Sequence, residues 1–474
     1  MTADHFALQG LYEKEDDYDA QRAQPAAVPV SGITPPNGYV PLKIGDVEIP
    51  FEAETKHIVI NGGTGAGKTQ ANSQILENWR ERGIPAWIID NGNLLAKFWE
   101  PGDQIYCPFD RRSVLWDYFN EIRALYDYDK QASYAVEELH GEGKFWSTRT
   151  VHMLADMTEK LDSQGVVFQN HDWLMKFLTE YPVHDDGSGK ASLQSLLAGT
   201  LSASQFEKGA EKALTSTLDV LKQNLRSLRY AKGGGSFSLR EWVETLPEPG
   251  SEKRAPWLWL LHTKDTFEAQ RTILGLQASV LINAMLGLPE NLQRRIGGML
   301  DELASLGQIR ALPEAFNELR KVGGMLVFST QSIGQTAEIY GETAAQSFID
   351  NAGTLLMLRS GAPETNQYFS DLIGEDEVLE PSTSKTENND ADGNTTTSNT
   401  TSWSKRIKPH MLPSEFSRQP DRQGFLRVSG TEHIATPVTI PVNKRAADAA
   451  PRFVPIEGIE RPRRKQLNTG GSNA

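Results

Sequence analysis

Hydrophobic positions along the chain follow two kinds of pattern. One is typical of buried strands and the other is typical of helices, and segments of the two kinds follow each other along the sequence. Continuous short apolar runs favour strands in a parallel sheet, and they lie at 58–60, 84–90, 257–262, 296–301, 325–330 and 354–358. A helix-forming run at 70–82 separates the first two and stops at Gly83. Strand, loop, helix and strand in this order predict a right-handed βαβ unit, and therefore an α/β fold with a mostly parallel central sheet.

Residues 131–234 show only helical periodicity. The clearest stripe alternates steps of four and three, and its members are Leu214, Leu218, Leu221, Leu225 and Leu228. We therefore predict an all-helical domain at 131–234, inserted between two parts of a nucleotide-binding α/β domain at 38–130 and 235–443.

The remaining segments have little core-forming character or short alternating patterns. Residues 1–37 are acidic and then rich in Pro and Ala, which predicts a flexible arm. Residues 381–402 are low in complexity and predict a flexible loop inside the second part. Alternation predicts small hairpins at 39–51 and 424–440. Residues 444–474 are interpreted as a basic, flexible tail.

Composition narrows the class of protein. The chain has 474 residues, 38% of them hydrophobic, which allows two or three globular domains. A net charge of −14 argues against a surface coated for nucleic acid, although a basic channel is compatible with that average. The single cysteine, Cys107, excludes an internal disulfide framework. No apolar run approaches the roughly 18–20 residues that cross a bilayer, and no signal peptide is evident, so we expect a cytoplasmic protein.

The stretch HIVINGGTGAGKT, residues 57–69, carries the strongest chemical signal. It fits the pattern G-x-x-x-x-G-K-[ST] between a predicted strand and a predicted helix. In this pattern backbone N–H groups surround phosphates, the lysine contacts the β and γ oxygens, and the hydroxyl binds Mg²⁺. The predicted phosphate-binding residues are Gly62, Gly63, Thr64, Gly65, Ala66, Gly67, Lys68 and Thr69. The chain is therefore predicted to bind a nucleoside triphosphate.

Four predicted strands end in polar residues, namely Asn61, Asp90, Asp301 and Gln331. In an open parallel sheet, ligands bind beyond the carboxyl ends of the strands, so these residues predict one site. Asp301 would hold Mg²⁺, and Glu302 would orient and deprotonate the attacking water. Gln331 would sense the γ-phosphate or position the water.

Three residues have open interpretations at this point. Asp90 either faces the site or only caps the turn at Asn91-Gly92. Arg320 and Arg359 are each either a solvated surface residue or an arginine finger, and spacing favours the former.

Several ordered segments resemble one family, the TraD and TrwB coupling proteins of conjugative type IV secretion, which are ring ATPases of the RecA/FtsK class. The resemblance covers about residues 40–440. The segments that carry it include INGGTGAGKTQ, IIDNGNLLAKFW, IYCPFDRRSVLWDYFNEIR, GKFW, FSLREW, DELASLGQIRALPEAFNELRKVGGMLVFSTQSIGQTAEIYGETAAQS, LIGEDEVLE and MLPSEF.

The resemblance implies a RecA-like P-loop NTPase with an inserted all-α domain, using ATP and Mg²⁺. It further implies a homo-hexamer on DNA that drives single-stranded DNA, with its attached relaxase, toward a type IV secretion channel, and contacts double-stranded DNA. By the family's motifs, Lys68 and Thr69 fall on Walker A and Asp301 and Glu302 on Walker B. Gln331 falls on the sensor position, and Arg320 on the arginine that reaches a neighbouring subunit's nucleotide.

The sequence departs from the family's usual pattern, and two alternative functions remain. Family members usually begin with transmembrane helices and this sequence shows none, so we expect a separate membrane-anchoring protein to recruit it to the inner face of the cell membrane. The tail after 440 is also short for a relaxosome-docking extension. The alternatives are a DNA-pumping segregation ATPase and a nucleotide-gated docking platform without processive hydrolysis.

Overall fold

The structure is a computed structural model that describes residues 35–36, 38–139, 141–187, 189, 191–251, 253–389, 395–431, 435–445 and 450–456. The chain divides into two compact units. The first unit comprises Met1–Asn78 and Val327–Asn443, and the second comprises Trp79–Leu326 and Lys444–Ala474.

The strands follow the apolar runs of the sequence closely. Over the described residues they are β1 Leu42–Ile44, β2 Val47–Ile49, β3 Ile58–Asn61, β4 Ala86–Asn91, β5 Gln104–Tyr106, β6 Trp257–His262, β7 Ile296–Leu300, β8 Gly324–Thr330, β9 Thr354–Leu358, β10 Glu375–Asn389, β11 Thr395–Pro409, β12 Gln423–Val428 and β13 Thr436–Thr439.

The α-helices of the described residues are α1 Phe51–Glu54, α2 Lys68–Glu81, α3 Leu125–Ala135, α4 Gly143–Ser163, α5 His171–Thr179, α6 Leu193–Leu196, α7 Glu211–Leu225, α8 Leu239–Glu244, α9 Phe267–Leu286, α10 Leu312–Glu318, α11 Ile333–Tyr340, α12 Glu342–Asp350, α13 Pro363–Ile373 and α14 Pro413–Arg418. Short 3₁₀ helices connect several of them.

In the first unit, β3 lies between β8 and β9 and runs parallel to both. Asn61, at the carboxyl end of β3, is opposite Thr330 of β8 and Met357 of β9. Strand β12 adds antiparallel to β9, and β13 adds antiparallel to β12 as the predicted closing hairpin. All four residues of β3 are buried, which explains their uninterrupted apolar run.

In the second unit, β4 lies between β6 and β7 and is parallel to both, and β5 is parallel to β6. Strand β7 contains two glycines. A Cβ on Gly297 would lie 2.5 Å from the Trp79 ring, and one on Gly298 would lie 2.6 Å from the Trp87 ring. These glycines make room for two buried tryptophans. The α/β fold with mostly parallel strands is confirmed.

The helices of the insertion in the second unit bury apolar faces, one of which is the predicted leucine stripe. The residues of these faces that are buried on α4 and α7 are Met153, Leu154, Met157, Leu161, Leu214, Leu218, Leu221 and Leu225. The first helix, α3, begins at Leu125, six residues before the predicted boundary of 131. The Asp127 carboxylate accepts the N–H groups of Arg123 and Ala124, both at 3.0 Å, and so fixes this earlier start.

The range 381–402, predicted as a flexible loop, forms strands in the structure over its described residues. Strands β10 and β11 pair antiparallel through most of that range. Thr, which is β-branched, favours extended backbone, and a hairpin ladder needs no apolar core to pair its main-chain groups. Charged residues add pairing at its base, where the Arg406 guanidinium lies 3.1 Å from the Glu380 carboxylate.

The two predicted flexible termini are only partly within the described residues. The acidic arm, 1–37, lies outside them except for Pro35 and Pro36. In the tail, the Val454 carbonyl accepts the Arg111 N–H at 2.8 Å, and the Val454 N–H donates to Asp110 Oδ2 at 2.9 Å. This described part of the tail therefore packs on the second unit, while the basic residues 461–465 lie outside the description.

Candidate nucleotide-binding site

The glycine-rich loop connects β3 to α2 and is shaped by its own glycines. Gly65 and Gly67 have φ values of 77° and 118°, which side-chain-bearing residues rarely adopt. Lys68 is the first residue of α2, and its Nζ donates to the Gly62 carbonyl at 2.7 Å. The first N–H groups of a helix have no intrahelical acceptor, so the loop and the start of α2 have the arrangement of main-chain donors that suits an anion.

Neighbouring strand ends fix this loop in the first unit. The Gly62 N–H donates to the Thr330 carbonyl at 3.1 Å, and the Gly63 N–H donates to the Arg359 carbonyl at 2.7 Å. Gln331 directly follows Thr330 and is half-buried, so the structure brings it level with the start of the loop. Lys68, Thr69 and Gln331 are thus grouped at the carboxyl end of this part of the sheet.

A residue that sequence reasoning missed also supports the loop. The Arg422 N–H donates to the Ala66 carbonyl at 2.8 Å, and Arg422 itself has a positive φ of 65°. A Cβ on Gly67 would lie 3.0 Å from the Arg422 Cα. No local motif marks Arg422, because its role comes from the antiparallel return of β12 to β9.

Asp301 and Glu302 follow β7 in the second unit. The Asp301 N–H donates to the Ile89 carbonyl at 3.1 Å, and Asp301 is buried with 6% exposure. Glu302 adopts φ 75° and ψ 75°, the left-handed region that a residue with a side chain enters at a cost of about 1–2 kcal/mol. Strain of this kind is concentrated at functional sites, which agrees with the role predicted for Glu302.

Asp90 lies near the carboxyl end of β4, the neighbour of β7, and its side chain binds the turn that follows. Its carboxylate accepts the N–H groups of Leu94 at 3.0 Å and Leu95 at 2.7 Å. Burial and, after it, the negative charge of Asp301 raise the pKa of Asp90 to about 8. Asp90 therefore caps the turn that follows β4 while it is electrostatically coupled to Asp301.

Arg320 lies in the second unit on the 3₁₀ helix Leu319–Val322, where its side chain is exposed. Its neighbour Lys321 pairs with Glu318 at 2.5 Å. Arg359 belongs to the first unit and pairs with Asp421 at 2.5 Å. The described chain thus presents Arg320 to solvent, whereas the main chain of Arg359 contacts the glycine-rich loop.

The donor set fits a magnesium–nucleotide complex. Lysine and backbone N–H groups suit phosphate oxygens, and the half-buried Thr69 supplies the hydroxyl that this motif uses for Mg²⁺. The described residues contain no cluster of three or more His, Cys, Asp or Glu side chains suited to hold a metal ion by themselves. Mg²⁺ usually keeps several waters and is bound by few protein ligands plus phosphates, so a sparse set is appropriate. Among the helices that the structure describes, none is long and apolar enough to cross a bilayer.

The family model and the curated relative that match this chain both describe coupling proteins. The model of the family described as the type IV secretion-system coupling protein DNA-binding domain, TrwB_AAD_bind, matches residues 41–441. The coupling protein TraD of Escherichia coli (strain K12) is 29% identical over 349 residues, which are 72% of this chain and 47% of TraD. The chain therefore spans about half the length of this curated relative.

Solved structures of the bacterial conjugative coupling protein TrwB are similar in fold. The unbound TrwBΔN70 structure has a TM-score of 0.76 and 26% identity, and the match covers 88% of this chain and 92% of that one. TrwB in complex with ADP and Mg²⁺ has a TM-score of 0.74 at the same identity and coverage.

Proposed function

Because this chain belongs to the type IV secretion-system coupling protein family, of the TraD and TrwB type, we propose that it is an ATPase that drives DNA toward a secretion channel. The observation that carries the proposal is the glycine-rich loop held between Thr330, Arg359 and Arg422, with the Lys68 ammonium bound to the Gly62 carbonyl at the start of the loop. A similar protein, TrwB, has been solved with ADP and Mg²⁺, which supports ATP and Mg²⁺ as ligands here.

The chain's own residues have separate tasks in this proposal. The loop N–H groups and Lys68 bind phosphate oxygens, and Thr69 and Asp301 hold Mg²⁺, directly or through water. Glu302 orients a water molecule and accepts its proton, while Gln331 positions that water or senses the terminal phosphate. Arg320 acts on the nucleotide of a neighbouring subunit, which agrees with its exposure in a single chain.

The substrate in this proposal is single-stranded DNA with a covalently attached relaxase, moved through a homo-hexamer that assembles on DNA. Double-stranded DNA, the relaxosome and components of the secretion channel are further partners. The family match is described as a DNA-binding domain, which supports the DNA part. Because the net charge is −14, the Lys and Arg residues that contact DNA have to be concentrated in one region of the surface. Their contacts with phosphates are electrostatic, so the affinity for DNA should fall steeply as the salt concentration rises.

The place of action in this proposal is the inner face of the cell membrane, where a separate membrane protein recruits the chain. A chain without residues 1–37 should hydrolyse ATP normally but lose transfer and membrane co-fractionation. If the shortened chain still transfers DNA and co-fractionates with membranes normally, the surface that docks to the membrane protein lies on the ATPase itself and not in residues 1–37.

The test of the motor is DNA-stimulated ATP hydrolysis. Lys68→Ala should abolish turnover, because it removes the charge that binds the phosphates. Glu302→Gln should bind ATP and stall hydrolysis, because an amide cannot accept the proton. Wild-type turnover by Glu302→Gln would refute the assignment of the base, and turnover unaffected by DNA would favour a docking platform over a translocase.

A further inference from the structure

Arg359 stands beside the glycine-rich loop on the side opposite β8. Strand β9 runs parallel to β3, and Arg359 is the first residue after β9. Its main-chain carbonyl accepts the Gly63 N–H at 2.7 Å, so its backbone lies against the second residue of the loop. Its guanidinium pairs with Asp421 Oδ1 at 2.5 Å, and the two side chains are 42% and 63% exposed.

Asp421 is brought to Arg359 by a second segment that is also bound to the loop. The next residue, Arg422, donates its N–H to the Ala66 carbonyl at 2.8 Å and its Nη1 to the Ile440 carbonyl at 3.2 Å. The guanidinium of Arg359 and the carboxylate of Asp421 are thus carried by two segments that both hydrogen-bond to the phosphate-binding loop through their main chains.

The ion pair between Arg359 and Asp421 is weak enough for a phosphate group to replace the carboxylate. An exposed pair of single charges contributes little, because water competes for both groups. A phosphate group offers more negative charge and a geometry that a guanidinium matches with two hydrogen bonds. An arginine this close to an anion-binding loop therefore gains by leaving a solvated carboxylate for phosphate.

We infer that Arg359 is a nucleotide-binding residue of its own subunit, which exchanges Asp421 for a phosphate oxygen when nucleotide binds in the glycine-rich loop. This inference rests on the proposed function, since it requires that the loop bind a nucleotide. Asp421 is then a competing carboxylate, which holds the guanidinium beside the loop and lowers nucleotide affinity by the strength of one exposed ion pair.

Two substitutions at this pair should have opposite effects. Arg359→Ala removes the guanidinium but keeps the main-chain carbonyl that accepts the Gly63 N–H, so the loop retains its support. Nucleotide affinity should fall about ten-fold or more, the scale of a lost charge-assisted hydrogen bond. Asp421→Asn removes the competitor and should raise affinity about two- to five-fold. The double variant should resemble Arg359→Ala.

The experiment measures equilibrium binding of ADP, of a non-hydrolysable ATP analogue and of pyrophosphate to the full chain with Mg²⁺. The matched controls are Lys43→Ala and Glu48→Gln, which break another exposed ion pair of the first unit, at 2.9 Å. These controls should leave all three affinities unchanged. Arg359→Lys keeps the charge without the planar fork and should retain part of the affinity. A gain in affinity in Asp421→Asn cannot arise from misfolding.

The outcomes separate this inference from the proposed function. If Lys68→Ala abolishes binding while Arg359→Ala binds as wild type does, the inference is wrong and nucleotide binding stands. If Lys68→Ala also binds normally, the nucleotide site itself is wrong. A loss of ADP affinity with unchanged pyrophosphate affinity would assign Arg359 to the base or ribose and overturn the phosphate contact. No gain in Asp421→Asn would overturn the exchange.

Discussion

His171 Nδ1 lies 3.2 Å from Asp117 Oδ2, and both side chains are buried. His171 begins α5 of the helical insertion, and Asp117 precedes the insertion along the chain. The same carboxylate oxygen accepts the Gly234 N–H at 2.6 Å, where the insertion ends. One carboxylate thus fastens the interior and the end of the insertion to the segment that leads into it.

This pair predicts a pH dependence of stability. Burial alone would lower the pKa of His171, but the Asp117 carboxylate outweighs it and raises that pKa above 6.5. The folded state then holds the His171 proton longer than the unfolded chain does, so the stabilisation is complete below pH 6.5 and is lost as pH rises through the folded pKa. For Asp117, burial opposes but the His171 interactions lower its pKa below 3.8, so its contribution is lost only in acid.

The measurement is the free energy of urea unfolding of the wild type and of His171→Gln between pH 5 and 9. The stability difference should shrink above pH 6.5, by at most about 1.4 kcal/mol per pH unit. His152→Gln, on the exposed side of α4, is the control and should show no such change. A difference that stays constant across this range would show that His171 does not titrate with folding.

The strained backbone of Glu302 predicts an unusual order of stability among inactive variants. Both Glu302→Ala and Glu302→Gly remove the carboxylate, but only glycine adopts φ 75° without a steric cost. Glu302→Gly should therefore be more stable to unfolding than Glu302→Ala by about 1 kcal/mol. Equal stability, or a more stable alanine variant, would contradict strain at this position.

The glycine-rich loop predicts a difference between two alanine substitutions. Gly67→Ala combines φ 118° with a Cβ at 3.0 Å from Arg422, and should displace the loop from Arg422. Gly63→Ala places its Cβ at an ordinary 3.5 Å from the Arg359 carbonyl. Thermal unfolding without nucleotide should show Gly67→Ala less stable by about 1–3 kcal/mol and Gly63→Ala close to wild type. If both variants lose a similar amount of stability, the contact between residue 67 and Arg422 is not the cause of the loss.

The proposed role of Arg320 predicts rescue between two inactive variants. Lys68→Ala lacks nucleotide binding, and Arg320→Ala lacks the group supplied to a neighbour, so a mixed ring contains some complete interfaces. DNA-stimulated ATP hydrolysis by the mixture should exceed that of either variant alone. Lys321→Ala, whose residue pairs with Glu318 on the same exposed turn, is the control and should be active by itself. If mixed rings show no rescue, Arg320 does not act on a neighbouring subunit's nucleotide and is an ordinary solvated surface residue.

The sequence by itself determined the elements whose signal is local. The run Ile58, Val59 and Ile60 leads into glycines, lysine and threonine, and β3, the loop and α2 follow as predicted. Continuous burial makes a strand continuously apolar, and one buried face gives a helix its three-four spacing, so β6, β9 and the stripe on α7 were also predicted. The order of these elements was sufficient to predict the mostly parallel sheet.

Only the tertiary structure decided features that depend on residues distant in sequence. The glycines of β7 weaken the strand signal, yet a strand forms there because Trp79 and Trp87 occupy the space that side chains would need. Asp90 became a turn cap coupled to Asp301, and Arg422 became a support for the glycine-rich loop, only when parallel and antiparallel strands met. Sequence periodicity reports which side of an element is buried, whereas the partner that buries it is set by strand order, and that order fixes which side chains meet.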